Sequence, residues 1–450
     1  MAETSTPGIA SGRLNAHEYI ENFSDLHPPL SSDKARIEAD RCYFCHDAPC
    51  MEACPTSIDI PLFIRQIATG VPDGAAQTIF NSNILGGMCA RVCPTETLCE
   101  EVCVHVAQGN LPVNIGQLQR YATDHAMDTH AITFKRAADS GKKVAIVGAG
   151  PAGLACAHRL SENGHAVTIY EAKEKPGGLN EYGLAAYKTT DGFAQREVDF
   201  VLSIGGIDIQ YGKKLGSDFS LGDLSNDYDA VFLGVGLTAT NGLGIDGEEL
   251  EGVQDAVDYI AELRQADDLA ALPVGQKVVV VGGGMTAIDI AVQIKRLGAR
   301  SVTMVYRRGP EQMGASDFEC ELAQTNGVSI VHWAKPTAIT GADGHVSAVD
   351  FERTALDGGK LSGTGEIFTL EADQVFAAIG QVLDPAPLSG SDLEMQGRRI
   401  VVDEQRQTSI QNVWAGGDCV IGGQNLTVSS VEDGNVAAAA INQYLVGGKE

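Results

Sequence analysis

The chain has 450 residues, of which 44% are hydrophobic and 20% charged, and this balance is typical of about two to four globular domains. Its formal net charge of -27 repels phosphate backbones and anionic membranes, so nucleic acid and membrane surfaces are not expected as partners. The sequence shows neither a charged segment followed by an apolar one at its start nor an apolar run near the ~18 residues that span a bilayer, and we expect a cytoplasmic protein.

Two cysteine runs dominate the first quarter of the chain. They read C-x2-C-x4-C-x3-C-P and C-x3-C-P-x4-C-x3-C, and they hold eight of the eleven cysteines. These spacings resemble two-cluster ferredoxins, in which three cysteines of a run hold one iron–sulfur cluster and the fourth reaches the other. On that reasoning Cys42, Cys45 and Cys50 share a cluster, and Cys54 belongs to its neighbour.

Such cysteines have two other common uses, disulfides and structural zinc. Disulfides need an oxidising compartment, which the absence of a secretion signal argues against. Structural zinc is the stronger alternative, because all-cysteine zinc sites also use C-x2-C. The two Cys-Pro dipeptides and the staggered spacings favour iron–sulfur clusters over zinc. Cys156, Cys320 and Cys419 are solitary, and we interpret them as buried apolar residues.

Residues 1–140 are predicted to form a helical domain, because no strand-like alternation occurs there. Residues 1–30 are interpreted as a polar lead-in. Helical spacing follows over 31–40, with Ser31 or Ser32 as N-cap, and then over 58–67, 75–81 and 115–127.

From Gly141 to Glu171 a strand, a glycine-rich turn, a helix and a second strand follow one another. The turn is G-x-G-x-x-G, whose glycines allow a tight turn, approach of a pyrophosphate to the backbone, and packing of helix on strand. The helix N-terminus faces the phosphates and Glu171 can bind a ribose hydroxyl. A glycine-rich turn without a ligand is disfavoured because all the flanking features are present. The predicted contacts are Gly148, Gly150, Pro151, Ala152, Gly153 and Glu171.

A second unit of this kind begins near Lys277. Its turn, G-x-G-x-x-A, lies between an apolar strand and a helix, and we expect a second dinucleotide there, bound by Gly282, Gly284, Met285, Thr286 and Ala287. The following strand ends in Tyr306-Arg307-Arg308 rather than in an acid. Because arginine accommodates a 2′-phosphate, Arg307 and Arg308 favour NADPH over NADH. The alternative is that both arginines lie in a solvated loop.

The last part of the chain contributes further predicted contacts. Residues 345–371 alternate like a hairpin-rich sheet, and an apolar strand ends at Gly380. The strand 413–415 leads to Gly416-Gly417-Asp418 before a small-residue helix, and an acid in that place is a second contact for the first dinucleotide. In addition to the residues of the two glycine turns, the further residues predicted to bind a dinucleotide are Gly178, Leu179, Gly380, Gly417, Asp418 and Thr427.

Two dinucleotide folds, the second nested in the first, resemble the disulfide-reductase-like flavoproteins, in which FAD takes the first fold and a nicotinamide the second. With the cysteine runs, the chain resembles the N-terminal half of dihydropyrimidine dehydrogenase and the small subunit of glutamate synthase, from about Arg41 onward. The predicted fold class is α/β: a helical two-cluster iron–sulfur domain (1–140) and two nested Rossmann-like domains. These are FAD-binding over 141–240 and 373–450, and NAD(P)-binding over 241–372.

The dehydrogenase resemblance implies an unusual ligand set. The family completes one cluster with a glutamine, which falls at Gln119 in this sequence, where glutamate synthase tends to have an acid. The alternative is a surface glutamine on a helix. The family pattern implies two 4Fe–4S clusters and leaves Cys89 unused, whereas counting cysteines alone would make it the eighth ligand. The clusters are held by Cys42, Cys45, Cys50 and Cys103, and by Cys54, Cys93, Cys99 and Gln119.

The resemblance also implies a reaction. Hydride passes from NAD(P)H to FAD, and single electrons then pass through both clusters to an FMN-containing partner subunit that interconverts uracil or thymine and their 5,6-dihydro forms. Such a chain would be part of a hetero-oligomer. Lys188 is the candidate for a charge beside the flavin, although a solvated lysine is an equal alternative. Ala186 stands where better-known members have Pro or Asn, which leaves the residues lining the flavin open.

Three rival functions remain at this point. A glutamate synthase small subunit would use the same electron entry with a glutamine-amidotransferase partner, and Gln119 argues against it. A stand-alone disulfide reductase needs a redox cysteine pair near the flavin, which solitary cysteines do not supply. A non-enzymatic module with clusters as structural staples is disfavoured by the two intact glycine turns.

Overall fold

The computed structural model describes residues 8–447. The helices are α1 (Ala16–Asn22), α2 (Ser32–Ala39), α3 (Pro49–Glu52), α4 (Ile60–Ala68), α5 (Pro72–Ser82), α6 (Gly86–Val92), α7 (Val104–Ala107), α8 (Ile115–Thr129), α9 (Pro151–Glu162), α10 (Leu179–Tyr182), α11 (Phe193–Leu202), α12 (Leu221–Asp227), α13 (Ala256–Gln265), α14 (Met285–Arg296), α15 (Asp317–Thr325) and α16 (Thr427–Gly447). None of them is long and apolar enough to cross a membrane.

The strands are β1 (Lys143–Val147), β2 (Ala166–Glu171), β3 (Ile207–Tyr211), β4 (Ala230–Leu233), β5 (Ala239–Thr240), β6 (Val253–Asp255), β7 (Lys277–Val281), β8 (Ser301–Tyr306), β9 (Val328–His332), β10 (Ala334–Ala342), β11 (His345–Asp357), β12 (Lys360–Glu371), β13 (Gln374–Ala377), β14 (Gln381–Val382), β15 (Met395–Gln396), β16 (Arg399–Ile400) and β17 (Val413–Ala415). They are divided between two compact units of the chain.

The larger unit, which we call the flavin–cluster unit, contains residues 27–181, 191–239 and 382–447. Its sheet has the order β17-β4-β1-β2-β3, and every neighbouring pair is parallel. Strands β1 and β4 are buried almost throughout, as expected of central strands covered on both faces. The carboxyl ends of β1 and β17 therefore lie at the same edge as the glycine turn.

The helices α2–α8 precede this sheet within the same unit. Helix α4 places Ile60, Phe63, Ile64 and Ile67 on one buried face, and Asp59 caps its N-terminus by accepting from the Leu62 amide. That cap and Pro61 explain why the helix begins at Ile60 and not at 58. The short helices α3, α6 and α7 contain or adjoin cysteines. These helices are too short to show a helical period in the sequence.

The other unit, which we call the nicotinamide unit, is built from residues 8–26, 182–190 and 240–381. Its parallel sheet has the order β6-β13-β7-β8-β9, and β10, β11 and β12 form a separate antiparallel sheet. Strand β7 carries four consecutive valines, all buried. Val280 and the buried face of α14 share one core, to which Tyr187 and Tyr19 also belong.

The interpretation of residues 1–30 as a lead-in was wrong in part. Residues 1–7 lie outside the described residues, but α1 forms from Ala16 with Asn15 and Glu18 as a capping box. Ala10 pairs with Val274, and Asn22 and Arg296 exchange two hydrogen bonds of 2.8 Å. Because these contacts belong to the nicotinamide unit, the segment is structural there.

Candidate functional site

The first glycine turn has the geometry that a dinucleotide needs. Gly148 adopts a φ of 97°, in the left-handed region, and a Cβ on Gly153 would collide with the carbonyl oxygen of Gly148. Gly150 is the N-cap of α9, and Pro151 occupies its first turn. Beside Gly150 the nearest atom to an added Cβ is 3.9 Å away, so a pyrophosphate can approach the backbone there.

Glu171 lies at the carboxyl end of β2, next to this turn. Its carboxylate accepts hydrogen bonds of 2.8 Å from the backbone amides of Ala149 and Lys173, and the residue is 8% exposed. The carboxylate is therefore fixed beside the turn, where a ribose would lie. Gly178 also belongs to this site, because an added Cβ there would approach the Cα of Gly150 to 2.8 Å. Leu179, the next residue, begins α10.

The carboxyl end of β17 meets the same site. Gly417 has a φ of 89°, and a Cβ there would be 3.5 Å from the Ala152 side chain. Burial raises the pKa of the Asp418 carboxyl to about 6. Thr427 begins α16 and donates a 2.7 Å hydrogen bond to Asn180. The structure thus gathers the predicted contacts Ala152, Gly178, Gly417 and Thr427 around one turn.

Four thiols line one cavity in the helical part of this unit. The cavity contains Cys42, Cys45, Cys50 and Cys103, and its other walls are mostly apolar, with Ile60 and Ile64 among them, although Tyr43 and His105 also line it. Burial and the neighbouring thiols raise the pKa of Cys50 to about 12 and also raise that of Cys42. Such thiols ionise readily only beside a cation, which iron would supply. The donor set and the apolar walls fit an iron–sulfur cluster.

A second group of thiols lies around Cys93. A hydrogen bond with Cys89 and burial raise the pKa of Cys93 well above its usual range, and nearby Cys99 and Cys54 raise it further. Burial and the Glu100 carboxyl, with Cys54 and Cys50 also close, raise the pKa of Cys99. The two groups therefore adjoin through Cys50, Cys54 and Cys99. Cys89 lies within the second group and accepts a 3.2 Å hydrogen bond from the Asn83 amide.

Gln119 is buried, with 7% of its surface exposed, so it is not a surface glutamine. It lies on α8, and its Nε2 donates a 2.7 Å hydrogen bond to the carbonyl of Gly86, the first residue of α6. One turn earlier on α8, the backbone amide of Gly116 donates a hydrogen bond to the carboxylate of Glu100, which follows Cys99 in the sequence. Because Nε2 of Gln119 is used in the bond to Gly86, Oε1 is the atom of the side chain that could act as a ligand.

Glu197 joins the flavin fold to the second thiol group and was missed from the sequence. It lies on α11, is 1% exposed, and accepts a 2.8 Å hydrogen bond from the Met88 amide in the first turn of α6. Burial raises its pKa to about 8. Arg91, on α6, stacks 3.4 Å above the Phe193 ring of α11 and forms a bidentate ion pair with Asp124. No motif signals such long-range contacts.

The second glycine turn, in the nicotinamide unit, also has the geometry that a dinucleotide needs. Gly284 is the N-cap of α14, whose first residues are Met285 and Thr286, and no atom lies within 4 Å of an added Cβ on Gly284. A Cβ on Gly282 would collide with the Ala378 carbonyl and approach the buried Ala287 side chain to 3.0 Å. The turn therefore packs tightly on the sheet and opens at the glycine that faces a pyrophosphate.

Arg307 and Arg308 follow the carboxyl end of β8. Their carbonyls accept hydrogen bonds from Thr354 and Trp333. Among residues 8–447 neither guanidinium has a carboxylate within ion-pair distance. The two arginines are thus available to an anionic ligand.

Gly380, another predicted contact, follows β13 in the same unit. It has a φ of 102°, and its carbonyl accepts hydrogen bonds from the Asn241 backbone and side chain.

Lys188 lies in the nicotinamide unit, between two carboxylates. Its Nζ is 2.8 Å from Asp289 Oδ1 on α14 and 2.6 Å from Glu319 Oε1 on α15, and the side chain is 9% exposed. Burial opposes the charge, but the two carboxylates outweigh it and raise the pKa of Lys188 above its ordinary value. Lys188 is therefore not a solvated lysine. Its role beside the flavin stays a prediction.

Two family comparisons agree with this geometry. Residues 19–131 match the family described as dihydropyrimidine dehydrogenase domain II, 4Fe-4S cluster. Residues 142–439 match the pyridine nucleotide-disulphide oxidoreductase family, over more than half of the chain. The chain belongs to the pyridine nucleotide-disulphide oxidoreductase family. This oxidoreductase accordingly binds FAD and a nicotinamide nucleotide, and its N-terminal region is a 4Fe–4S domain.

Curated relatives extend over nearly the full length of this family member. The NAD-dependent dihydropyrimidine dehydrogenase subunit PreT of Escherichia coli K12 is 36% identical over 429 residues, which are 95% of this chain and 98% of the relative. PreT of Salmonella typhimurium is 35% identical, with 95% and 97% covered. The glutamate synthase [NADPH] small chain of Escherichia coli K12 is 33% identical, with 94% of each chain covered. The predicted resemblance to both families is confirmed.

Solved structures confirm the predicted fold class of the oxidoreductase. Mycobacterium tuberculosis FprA in complex with NADPH has a TM-score of 0.57 at 20% identity, over 68% of this chain and 85% of that one. Thioredoxin reductase of T. acidophilum has a TM-score of 0.53 at 23% identity, over 67% and 98%. At these identities the likeness concerns the fold alone.

Proposed function

We propose that this oxidoreductase passes electrons from NAD(P)H through FAD and two 4Fe–4S clusters to an FMN-containing partner subunit. The partner would reduce uracil or thymine to 5,6-dihydropyrimidines, reversibly, and the two chains would form a hetero-oligomer. When bound, the flavin supplies the step from hydride to single electrons, and the clusters carry them.

Buried Gln119 carries the proposal. Its side chain is buried, with its nitrogen bonded to the Gly86 carbonyl, and we propose its Oε1 as the fourth ligand, with Cys54, Cys93 and Cys99, in place of Cys89. The PreT relatives, at 35–36% identity, support a role as a dihydropyrimidine dehydrogenase subunit. The glutamate synthase small chain, at 33%, remains the second candidate because the identities differ so little.

The choice of coenzyme rests on two arginines whose guanidinium groups are not paired with a carboxylate of the described residues. Arg307 and Arg308 suit the 2′-phosphate of NADPH, and we propose NADPH as the preferred coenzyme. The PreT relatives are named as NAD-dependent, and the glutamate synthase relative as NADPH-dependent. Replacing both arginines by glutamine should raise KM for NADPH by about tenfold or more and leave KM for NADH nearly unchanged.

The test of the whole proposal is an anaerobic pull-down of the tagged chain from its own host. The eluate is assayed for NADPH- and NADH-driven uracil reduction, and co-eluting proteins are identified by mass spectrometry. An FMN-containing subunit with uracil reduction would support the proposal. Co-elution of a glutamine amidotransferase with glutamate formation would favour the second candidate. It would also contradict the use of Gln119 as a sign of a dihydropyrimidine dehydrogenase subunit.

A stand-alone disulfide reductase is distinguished by the same preparation. That activity needs a pair of redox cysteines, whereas Cys156 and Cys419 are fully buried and the Cys320 thiol, which forms no disulfide, lies 3.9 Å from the Met313 sulfur. Disulfide reduction by the purified chain alone, lost when Cys320 is replaced by serine, would contradict the proposed electron path.

A further inference from the structure

The turn after β17 is held by a carboxylate from the following helix. Asp433, in the second turn of α16, accepts a 2.8 Å hydrogen bond from the backbone amide of Gly417 through Oδ2. Asp433 is 6% exposed, and a Cβ on Gly416 would approach its Cβ to 2.8 Å. Helix and turn are therefore in direct contact at the residue that precedes Asp418.

Arg406 holds the other oxygen of the same carboxylate. Its Nε donates a 2.7 Å hydrogen bond to Asp433 Oδ1, so the buried charge of Asp433 is balanced. Arg406 has a φ of 63°, which is unfavourable for a residue with a side chain. Its carbonyl accepts a 2.9 Å hydrogen bond from the Ala415 amide.

These bonds close a ring around the end of β17. One side runs from the Arg406 carbonyl to Ala415, and the other from the Arg406 guanidinium through Asp433 to Gly417. Strained backbone such as that of Arg406 persists where surrounding contacts fix it, and such residues concentrate at functional sites. Because Ala415 and Gly417 are both fixed, the direction in which the chain leaves the strand toward Asp418 is fixed too.

We propose that Asp433, held by Arg406, is a positioning residue for the flavin dinucleotide. It fixes the Gly416-Gly417-Asp418 turn so that the Asp418 carboxyl and the turn amides meet the bound FAD. The inference rests on the proposed FAD site and adds to it a residue that no glycine motif contains. Its action is indirect, since Asp433 bonds the turn and not the ligand.

The experiment measures FAD release from the anaerobically purified holoprotein. Release upon dilution is followed by the rise of free-flavin fluorescence, and the visible spectrum of the bound flavin and the iron content are recorded in parallel. Asp433→Ala should release FAD at least about tenfold faster and alter the flavin spectrum. Asp433→Asn keeps an oxygen for the Gly417 amide and should stay within about threefold of the wild type.

The matched control is Glu432→Ala, which removes the adjacent, half-buried carboxylate that pairs with Asn435 and not with the turn. Its release rate should equal that of the wild type. Wild-type release from Asp433→Ala, or equal loss from Glu432→Ala, would overturn the inference while leaving the FAD site intact. A wild-type protein that carries no flavin would overturn the proposed function as well.

A second variant covers the case in which Asp433→Ala does not fold. Arg406→Gly removes the guanidinium, and glycine accepts the left-handed φ without strain, so the turn itself should form. It should release FAD about three- to tenfold faster than the wild type, because the carboxylate then lacks its partner. Unchanged release from Arg406→Gly would contradict the role of the ring.

Discussion

Lys188 carries its charge inside the nicotinamide unit, balanced by Asp289 and Glu319. Replacing it with methionine leaves two buried carboxylates without a cation, and we expect a loss of about 3–5 kcal/mol in the free energy of unfolding. Denaturant unfolding followed by circular dichroism checks this. Lys360→Met, at an exposed position of β12, should have no comparable effect.

The double variant Lys188→Met/Glu319→Gln separates an ion pair from a catalytic charge. It leaves one unbalanced carboxylate instead of two and should recover part of the lost stability. A Lys188→Met protein with wild-type stability and slow flavin reduction would instead favour the predicted role beside the flavin.

Gln119 and Cys89 compete for one coordination position, and iron content decides between them. Gln119→Leu should lose about half of the bound iron, because one of two 4Fe–4S clusters lacks a ligand. Cys89→Ser should retain nearly all of it. Iron and acid-labile sulfide are measured on protein purified without oxygen. Loss of iron from the Cys89 variant alone would reverse the assignment.

His158 makes stability depend on pH. It is fully buried on α9 against the edge of Phe134, at 4.5 Å, and burial followed by the Arg159 charge lowers its pKa to about 3. Between that value and the ordinary pKa of about 6.5, the unfolded chain binds a proton that the folded chain does not, so stability falls as pH falls.

Comparison with His158→Leu isolates this effect from Glu197, whose raised pKa acts in the opposite direction. From pH 7 to pH 5.5 the wild type should lose about 1 kcal/mol relative to the variant. Urea unfolding at both pH values measures the difference. Equal pH dependence in both proteins would show that folding does not lower the pKa of His158.

At the residue scale, the sequence predicted side chains that lie in motifs. Gly148, Gly153 and Gly417 are recognisable because a turn or close packing excludes larger residues. The side chains of Glu197, Asp433 and Arg406 bond to partners 16 or more positions away, such as Gly417 for Asp433. Such pairings depend on how helices pack, which spacing does not encode.

At the element scale, close packing of α16 on α9 brings the predicted FAD contacts together. A Cβ on Gly434 of α16 would collide with the Ala152 carbonyl and lie 3.0 Å from the Ala155 side chain. Gly434→Ala should therefore cost about 1–3 kcal/mol of stability and lower the flavin content of the purified protein.

Gly447→Ala is the matched control for that substitution, since it lies on the same helix with no atom within 4 Å of the added Cβ. It should leave flavin content unchanged and stability equal or slightly higher. Thermal unfolding and the ratio of flavin to protein check both variants. Equal behaviour of the two would contradict the packing argument.

Elements with an apolar run or period were predictable, and those without one were not. The strands β1, β7 and β8 and the helix α8 lie close to their predicted positions because apolar runs and caps mark them. Helices α1 and α15 begin with caps, Asn15 and Ser316, but each buries a single apolar residue, Tyr19 or Ala323, and so shows no apolar period. Tertiary contacts therefore decide whether such segments become helical.

At the scale of the whole molecule, the nicotinamide unit depends on the segment before the cysteine runs. Tyr19 is 6% exposed in its core, and Tyr19→Ala should cost about 3–5 kcal/mol by leaving a cavity. Limited proteolysis, with cleavage sites identified by mass spectrometry, should show faster cleavage within 240–381 than within 27–181. Ile20→Ala, at a 71% exposed neighbour, is the control.

The predicted domain boundaries, at 140, 240 and 372, follow composition along the chain and stay a prediction. The compact units do not follow sequence order, because each is assembled from three separate stretches. Residues 182–190 lie within the predicted FAD-binding part, yet they place Tyr187 in the core of the nicotinamide unit. A prediction made along the sequence assigns such a short segment to the domain of its sequence neighbours, because nine residues are too few to show a pattern of their own.

The interrupted units have a consequence for protein engineering and for recombination in evolution. The chain passes from one unit to the other at Leu26, Glu181, Thr190, Ala239 and Gln381. A cassette of residues 240–381 would carry Asp289 and Glu319 but leave behind Lys188, Tyr19 and Asn22. Exchange of coenzyme specificity by transplanting that cassette between relatives therefore has to carry compatible versions of 8–26 and 182–190 with it.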